Sequence, residues 1–124
     1  MRRFHFMLFA VIIFTGCATA LSQRPVSDFK AIAGTWRGSN NVGNPVDLVV
    51  YDDGRFDAVI IAPQQTARRR GQIRVEGQQL VYDADSSYGQ MTYQERDGRR
   101  RLTMYGTLKE DGTRFVLEFS PGHR

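Results

Sequence analysis

Short turn sequences divide most of this chain into runs of β-forming residues, and this pattern constrains the fold more than any other feature. Four turns place a Gly directly after an acidic residue: Asp52-Asp53-Gly54, Glu76-Gly77-Gln78, Asp97-Gly98 and Asp111-Gly112. Such pairs favour the backbone of tight hairpin loops. The flanking runs are residues 48–51 and 56–61, 72–75 and 79–82, 90–94 and 102–105, and 105–108 and 115–119. With an opening strand at residues 35–37, the pattern predicts about eight antiparallel strands in succession.

Side-chain alternation predicts that each strand has one face in a core and one in water. Phe115, Leu117 and Phe119 alternate with more polar neighbours, as expected for a half-buried strand. A flat sheet of this size would leave two unpaired edges, and closure into a barrel removes both. The predicted fold is therefore all-β, a small up-and-down meander that closes into a barrel, with an incomplete or sandwich-like closure as the alternative.

Two local features qualify this prediction. Residues 27–32 place Ser27 and Asp28 ahead of Phe29 and Ile32, a pattern typical of one short helical turn. The first hairpin is apolar on both faces, so its outer face needs a cover. The candidates are the turn that carries Phe29 and Ile32, a loop at residues 62–70, or another molecule.

The N-terminus has the features of an export signal. Arg2 and Arg3 precede an apolar run at residues 4–14, and small residues follow. A helix of this run would rise about 17 Å, well short of a hydrocarbon core of about 30 Å, so the segment is expected to be removed.

The sequence Phe14-Thr15-Gly16-Cys17 resembles the lipobox of bacterial lipoproteins. The resemblance implies a signal peptide at residues 1–16, a lipidated Cys17 with a tether at residues 17–28, and a domain at residues 29–124. Because Ala18 rather than Asp follows, it also implies an outer-membrane anchor facing the periplasm. A competing cut after Ala20 would give a soluble periplasmic product instead.

A second resemblance covers the start of the domain. Residues 29–36 are similar to the opening motif of lipocalins and related calycins, in which a short helical turn precedes Gly-x-Trp; here Gly34 and Trp36 match. The resemblance implies that Trp36 packs across the closed end of the barrel under an Arg from the final strand. Arg114 is the expected partner.

The sequence offers little for catalysis or metal binding. A single Cys and two His, His5 and His123, cannot form a disulfide framework or the usual zinc sites. Asp52 and Asp53 suit a turn, and Asp83 and Asp85 suit a polar loop more than a calcium site. We therefore expect no enzymatic activity, no metal and no cofactor.

Charge and surface residues direct attention to binding. Without Arg2 and Arg3 the chain has 15 basic and 13 acidic side chains, a net charge of +2, which is too small to suggest nucleic acid as a partner. Candidate binding residues are those suited to anions or to flat amphipathic contact. They are Arg68, Arg69, Arg70, Arg99, Arg100, Arg101, Tyr88 and Tyr105.

Together these features predict a membrane-anchored envelope lipoprotein that acts as a non-catalytic binding module. Its expected partner is an envelope protein or an anionic lipid or cell-wall component, in addition to the membrane itself. The alternatives are a lipocalin-like carrier of a small apolar ligand, or a soluble periplasmic barrel or inhibitor.

Overall fold

The computed structural model describes residues 22–23 and 28–122 of the chain, and the part described is built of β-strands. The strands are β1 (Ser22–Gln23), β2 (Gly34–Ser39), β3 (Pro45–Val50), β4 (Arg55–Ile61), β5 (Thr66–Glu76), β6 (Gln79–Ala84), β7 (Ser87–Arg96), β8 (Arg99–Leu108) and β9 (Arg114–Pro121). All are joined in one antiparallel sheet.

From β2 to β9 each strand pairs with the next strand in the sequence, and β9 pairs with β2. Gly38 pairs with Phe119 and Trp36 with Pro121, so β2 and β9 close the sheet. The prediction of an all-β, up-and-down barrel of eight strands is confirmed, and the sandwich alternative is excluded. The short β1 pairs with β7 through Ser22 opposite Glu95 and Gln23 opposite Gln94.

The barrel has two ends, which we call the base and the rim. The base carries the turns at residues 51–54, 77–78 and 97–98, and the rim carries those at 40–44, 62–65, 85–86 and 109–113. All four turns predicted from acidic residues and glycine are present. At the β7–β8 turn both Asp97 (φ 52°) and Gly98 (φ 80°) are left-handed, as a type I′ hairpin loop requires.

The predicted helical turn before β2 is a single hydrogen-bonded turn. The amide of Ala33 donates to the carbonyl of Phe29 at 2.8 Å, and no helix forms in the part of the chain that the structure describes. Asp28 supports the turn, because its carboxylate accepts from the Lys30 amide at 2.9 Å.

Inward side chains of all eight barrel strands form one core, joined by Ile32 from the preceding turn. Its members are Ile32, Trp36, Val46, Leu48, Val50, Phe56, Ala58, Ile73, Leu80, Tyr82, Ala84, Met91, Tyr93, Leu102, Met104 and Phe119. This follows the expected alternation of strand faces.

Aromatic rings occupy the space above inward glycines. A Cβ at Gly71 would collide with the Phe56 ring, and one at Gly106 with the Phe115 ring and the Tyr82 hydroxyl. Phe56 and Tyr82 meet edge to face, with ring centroids 5.8 Å apart. Side chains rather than open space therefore occupy these parts of the interior.

Two expectations about the first hairpin need correction. The turn carrying Phe29 and Ile32 covers the base, not the outer face of the hairpin, since Ile32 is fully buried in the core. Only part of the segment 62–70 is a loop. β5 already begins at Thr66, which pairs with Ile61 at the end of β4. The outer face instead carries ion pairs that join neighbouring strands, Arg37 with Asp47 and Arg70 with Asp57.

Trp36 closes the base from inside. It is only 1% exposed, and its indole N–H donates to the carbonyl of Ile32 at 2.8 Å. The Tyr93 ring meets it edge to face at 6.5 Å. One side chain thus joins β2, the preceding turn and β7.

The arginine over Trp36 is Arg100, and the expectation for Arg114 is wrong. The Arg100 guanidinium lies 5.2 Å from the Trp36 ring centroid, and its Nη1 lies 3.4 Å from the Ala31 carbonyl oxygen. Because β9 runs antiparallel to β2, Arg114 begins β9 at the rim, about 24 Å along the strand from Pro121, the partner of Trp36. The covering arginine therefore comes from the penultimate strand.

We expect Trp36→Ala to destabilise the domain by about 3–5 kcal/mol, because it removes a buried aromatic side chain and leaves a cavity at the base. Urea unfolding followed by circular dichroism measures this loss. Tyr105→Ala, at an exposed position, is the control and should cost less than about 1 kcal/mol. A loss at Trp36 no larger than at Tyr105 would contradict the assigned role.

Arg100→Gln should cost about 1–2 kcal/mol, since it removes a cation–π contact and a hydrogen bond to the turn. Arg114→Gln should change the free energy of unfolding by no more than about 0.5 kcal/mol. The same urea measurement separates the two variants. Equal losses of unfolding free energy in the two variants, or a larger loss in Arg114→Gln, would contradict the role of Arg100 over Trp36.

Candidate functional site

The two arginine triples lie at opposite ends of the barrel. Arg99, Arg100 and Arg101 begin β8 at the base, whereas Arg68, Arg69 and Arg70 lie in the half of β5 nearer the rim. The structure therefore does not bring them together into one anion-binding patch.

Strand alternation also divides each triple between two faces. Arg100 shares the inward face of Leu102, which leaves Arg99 and Arg101 on the outside. Arg69 lies opposite inward-facing Ala58, which places Arg68 and Arg70 outside. Consecutive arginines on one strand thus lie on opposite faces of the sheet.

The partners of these arginines differ as well. Arg100 covers Trp36, and Arg70 pairs with Asp57 at 3.4 Å. Within residues 28–122, Arg68, Arg69, Arg99 and Arg101 form no salt bridge. Of the six arginines in the two triples, two at each end are therefore exposed and form no salt bridge with a described residue.

The strongest candidate surface lies on the outer face of β7, β8 and β9. Tyr105 lies directly opposite Val116 on β9, and Tyr88 on β7 is its diagonal neighbour, within reach of an aromatic side chain at roughly 7–8 Å. Tyr88 is 49% exposed, Tyr105 46% and Val116 54%. We call these three residues the tyrosine face.

Polar and basic side chains surround the tyrosine face on the same three strands. Thr107 and Arg114 lie in the row of Tyr88, and Gln90 lies in the row of Tyr105. Arg101 lies further along β8 toward the base, past Thr103, which is only 3% exposed. The surface combines aromatic rings, amides, hydroxyls and arginines on a rigid sheet.

Tyr88 and Tyr105 were both predicted as binding residues from the sequence, and the structure places them side by side. Val116 and Arg114 were not predicted to belong to such a surface. Val116 carried a signal, because it is an apolar side chain on the face of β9 that otherwise carries Arg114, Glu118 and Ser120.

Among the described residues, the carboxylates do not form a cluster suited to a metal ion. Asp83 lies in β6 rather than in a loop and pairs with Lys109 at 2.9 Å. Asp85 lies beside the Arg70 amide at 3.4 Å, and Asp53 pairs with Arg55 at 2.8 Å. No group of three or more His, Cys, Asp or Glu suited to a metal ion occurs among the described residues.

Two perturbed groups have structural explanations. The Tyr82 hydroxyl and the Ser87 Oγ are 3.0 Å apart inside the barrel, and burial raises the pKa of this phenol. Hydrogen bonding by the Arg55 amide lowers the pKa of Asp53 and holds the β3–β4 turn.

An open cleft of about 460 Å³ lies at the base. Its lining consists of Asp28, Phe29, Lys30, Asp52 and Val75. This lining combines two carboxylates, one lysine and two apolar side chains.

Cys17 and His123 lie outside the described residues. Among the described residues, no helix has the length and hydrophobicity needed to cross a membrane. Comparisons of the chain with protein-family models, with curated proteins and with solved structures find no match.

Proposed function

We propose that this chain is a membrane-tethered, non-catalytic binding module of the bacterial envelope that holds a protein partner on the tyrosine face. The observation that carries the proposal is the adjacency of Tyr88, Tyr105 and Val116, three large side chains that are each about half exposed. Contiguous exposed apolar surface of this kind marks interaction sites.

The composition of the face favours a protein partner. Tyrosine and arginine are enriched at protein interfaces, because each offers contact area together with hydrogen-bonding groups. Tyr88, Tyr105 and Arg114 all project from paired strands, so little backbone order has to be gained on binding.

The packed interior favours an outer binding surface over a carrier function. Phe56, Tyr82 and Phe115 fill the space above Gly71 and Gly106. A small apolar ligand would have to displace these rings, at the cost of their packing.

The tether supports a definite orientation. Ser22 pairs with Glu95 near the base, and the chain from Cys17 to Ser22, five Cα–Cα steps long, spans at most about 18 Å. If Cys17 carries acyl chains, the base lies close to the membrane and the rim points away from it. The lipobox at residues 14–17, the signal peptide and the lipocalin-like start of the domain belong to this proposal, as does an outer-membrane anchor facing the periplasm.

Lipidation is tested by growing bacteria that express the full chain with radiolabelled palmitate. We expect label on the wild type and none on Cys17→Ala, because the thiol is the acceptor. Intact mass of the purified product identifies the new N-terminus. An unlabelled wild type that begins at Leu21, or equal labelling of both chains, would contradict the proposal.

The tyrosine face is tested with a photo-crosslinking residue introduced at Tyr105 in the full chain in envelope membranes. We expect an adduct of one defined mass, and Tyr88→Ala should lower its yield about tenfold, as loss of an interface anchor does. The control is the same residue at exposed Gln72, on the outer face of β5. Equal adducts from both positions, or insensitivity to Tyr88→Ala, would remove the face from the proposal.

A further inference from the structure

We propose a second binding site on this barrel, at the open edge of β5, which accepts an extended acidic segment of a partner protein as an added strand. The open edge consists of residues 66–69. It is separate from the tyrosine face, and the argument for it does not depend on the proposed function.

The edge exists because two neighbouring strands differ in length. β5 has 11 residues and β6 has 6. Pairing between them begins at Gly71 opposite Ala84, and the last backbone hydrogen bond runs from the Asp85 amide to the Arg70 carbonyl at 3.0 Å. On its other side β5 stays paired with β4 as far as Thr66. Within residues 28–122, the segment 66–69 therefore has a strand on one side only.

The direction of the backbone groups follows from two hydrogen bonds. The Ile73 amide donates to Gly54 on the β4 side, at 2.8 Å, whereas the Arg70 carbonyl accepts from Asp85 on the β6 side. Because these groups alternate along an antiparallel strand, Thr66 and Arg68 direct their N–H and C=O groups toward the open side. An added strand would find them arranged as a strand requires.

One of these groups is occupied by a neighbouring side chain. The Arg69 guanidinium donates to the Arg68 carbonyl at 3.0 Å. This contact involves an exposed, flexible side chain, so an incoming backbone N–H can replace it at little cost. The Thr66 amide and carbonyl and the Arg68 amide have no hydrogen-bond partner in the described part of the chain.

Charge selects the occupant. Arg68 lies on the outer face and Arg69 on the inner face, both are exposed, and neither forms an ion pair with a described acid. An added strand would therefore meet a cation on each of its faces, and acidic side chains match both. The Asp85 carboxylate, beside the Arg70 amide, would repel acidic side chains of the partner. The acidic part of the added strand should therefore end before it reaches β6. A second copy of the same edge would instead bring like charges together.

The length of the edge sets the scale of the interaction. Four residues of strand extend about 13 Å, enough for two residues of the partner to pair fully. Binding of an isolated peptide should therefore be weak, and the partner is expected to add contacts elsewhere through its folded part.

The test uses the full chain in detergent, labelled with ¹⁵N, and two peptides as probes: acetyl-Glu-Val-Glu-Val-Glu-amide and its lysine counterpart. We expect the acidic peptide to shift the amide signals of Thr66 and Arg68 and to slow their hydrogen exchange, and the lysine peptide to do neither. No shift with acidic peptide at about 5 mM, or equal shifts with both peptides, would overturn the proposal.

Two variants separate the backbone contribution from that of charge. Arg68→Pro removes the outward N–H while leaving the hydrogen bonds to β4, which proline tolerates on an edge strand, and should weaken binding at least tenfold. The double variant Arg68→Gln with Arg69→Gln keeps the backbone and should also weaken binding at least tenfold. Arg74→Gln, at an exposed position of β5 nearer the base, is the matched control and should leave binding unchanged.

These variants also address the opposing explanation, that Arg68 and Arg69 only protect the edge from self-association. In that case the double variant forms dimers in sedimentation while the wild type ignores the acidic peptide, and the proposal is wrong. Wild-type affinity in both the proline and the glutamine variants would likewise overturn it. If Arg68→Pro fails to fold, the glutamine pair alone decides.

Discussion

The backbone pairing of β2 with β9 is the constraint on which the rest of the structure depends. It joins the two ends of the meander, so that the other strands keep both neighbours along most of their length and their inward side chains meet in a single core. Gly38 is part of this seam, because a Cβ there would collide with the Glu118 carbonyl. Trp36, two residues earlier, pairs with Pro121 across the same seam. The strand pair that closes the barrel therefore also positions the side chain that fills its base.

Much of the fold could be predicted because its signals are local. Turns in which Gly follows an acidic residue mark four of the seven strand reversals between β2 and β9, and alternation indicates which side chains face inward. The position at which β5 begins was harder to predict from the sequence. Residues 66–70 include three consecutive arginines, whose strand conformation is imposed by pairing with β4 rather than by their own preference.

The candidate sites illustrate the same division between local and long-range information. The side-by-side placement of Tyr88 and Tyr105 depends on the register between β7 and β8, which residue type alone does not specify. The expectation that Arg114 lies over Trp36 is wrong for a related reason. Local sequence cannot tell which of several arginines reaches the base, whereas register places Arg100 there and Arg114 at the rim.

The aromatic rings above the inward glycines have a consequence for how such a barrel could diverge. The rings of Phe56, Tyr82 and Phe115 fill the interior beside Gly71 and Gly106, while the strand pairing around them is made by backbone groups. Trimming one ring would open a chamber above Gly71 or Gly106 without altering any register. A barrel with a filled interior could therefore acquire a ligand cavity through a few substitutions. The volume of that cavity could evolve independently of the outer surfaces.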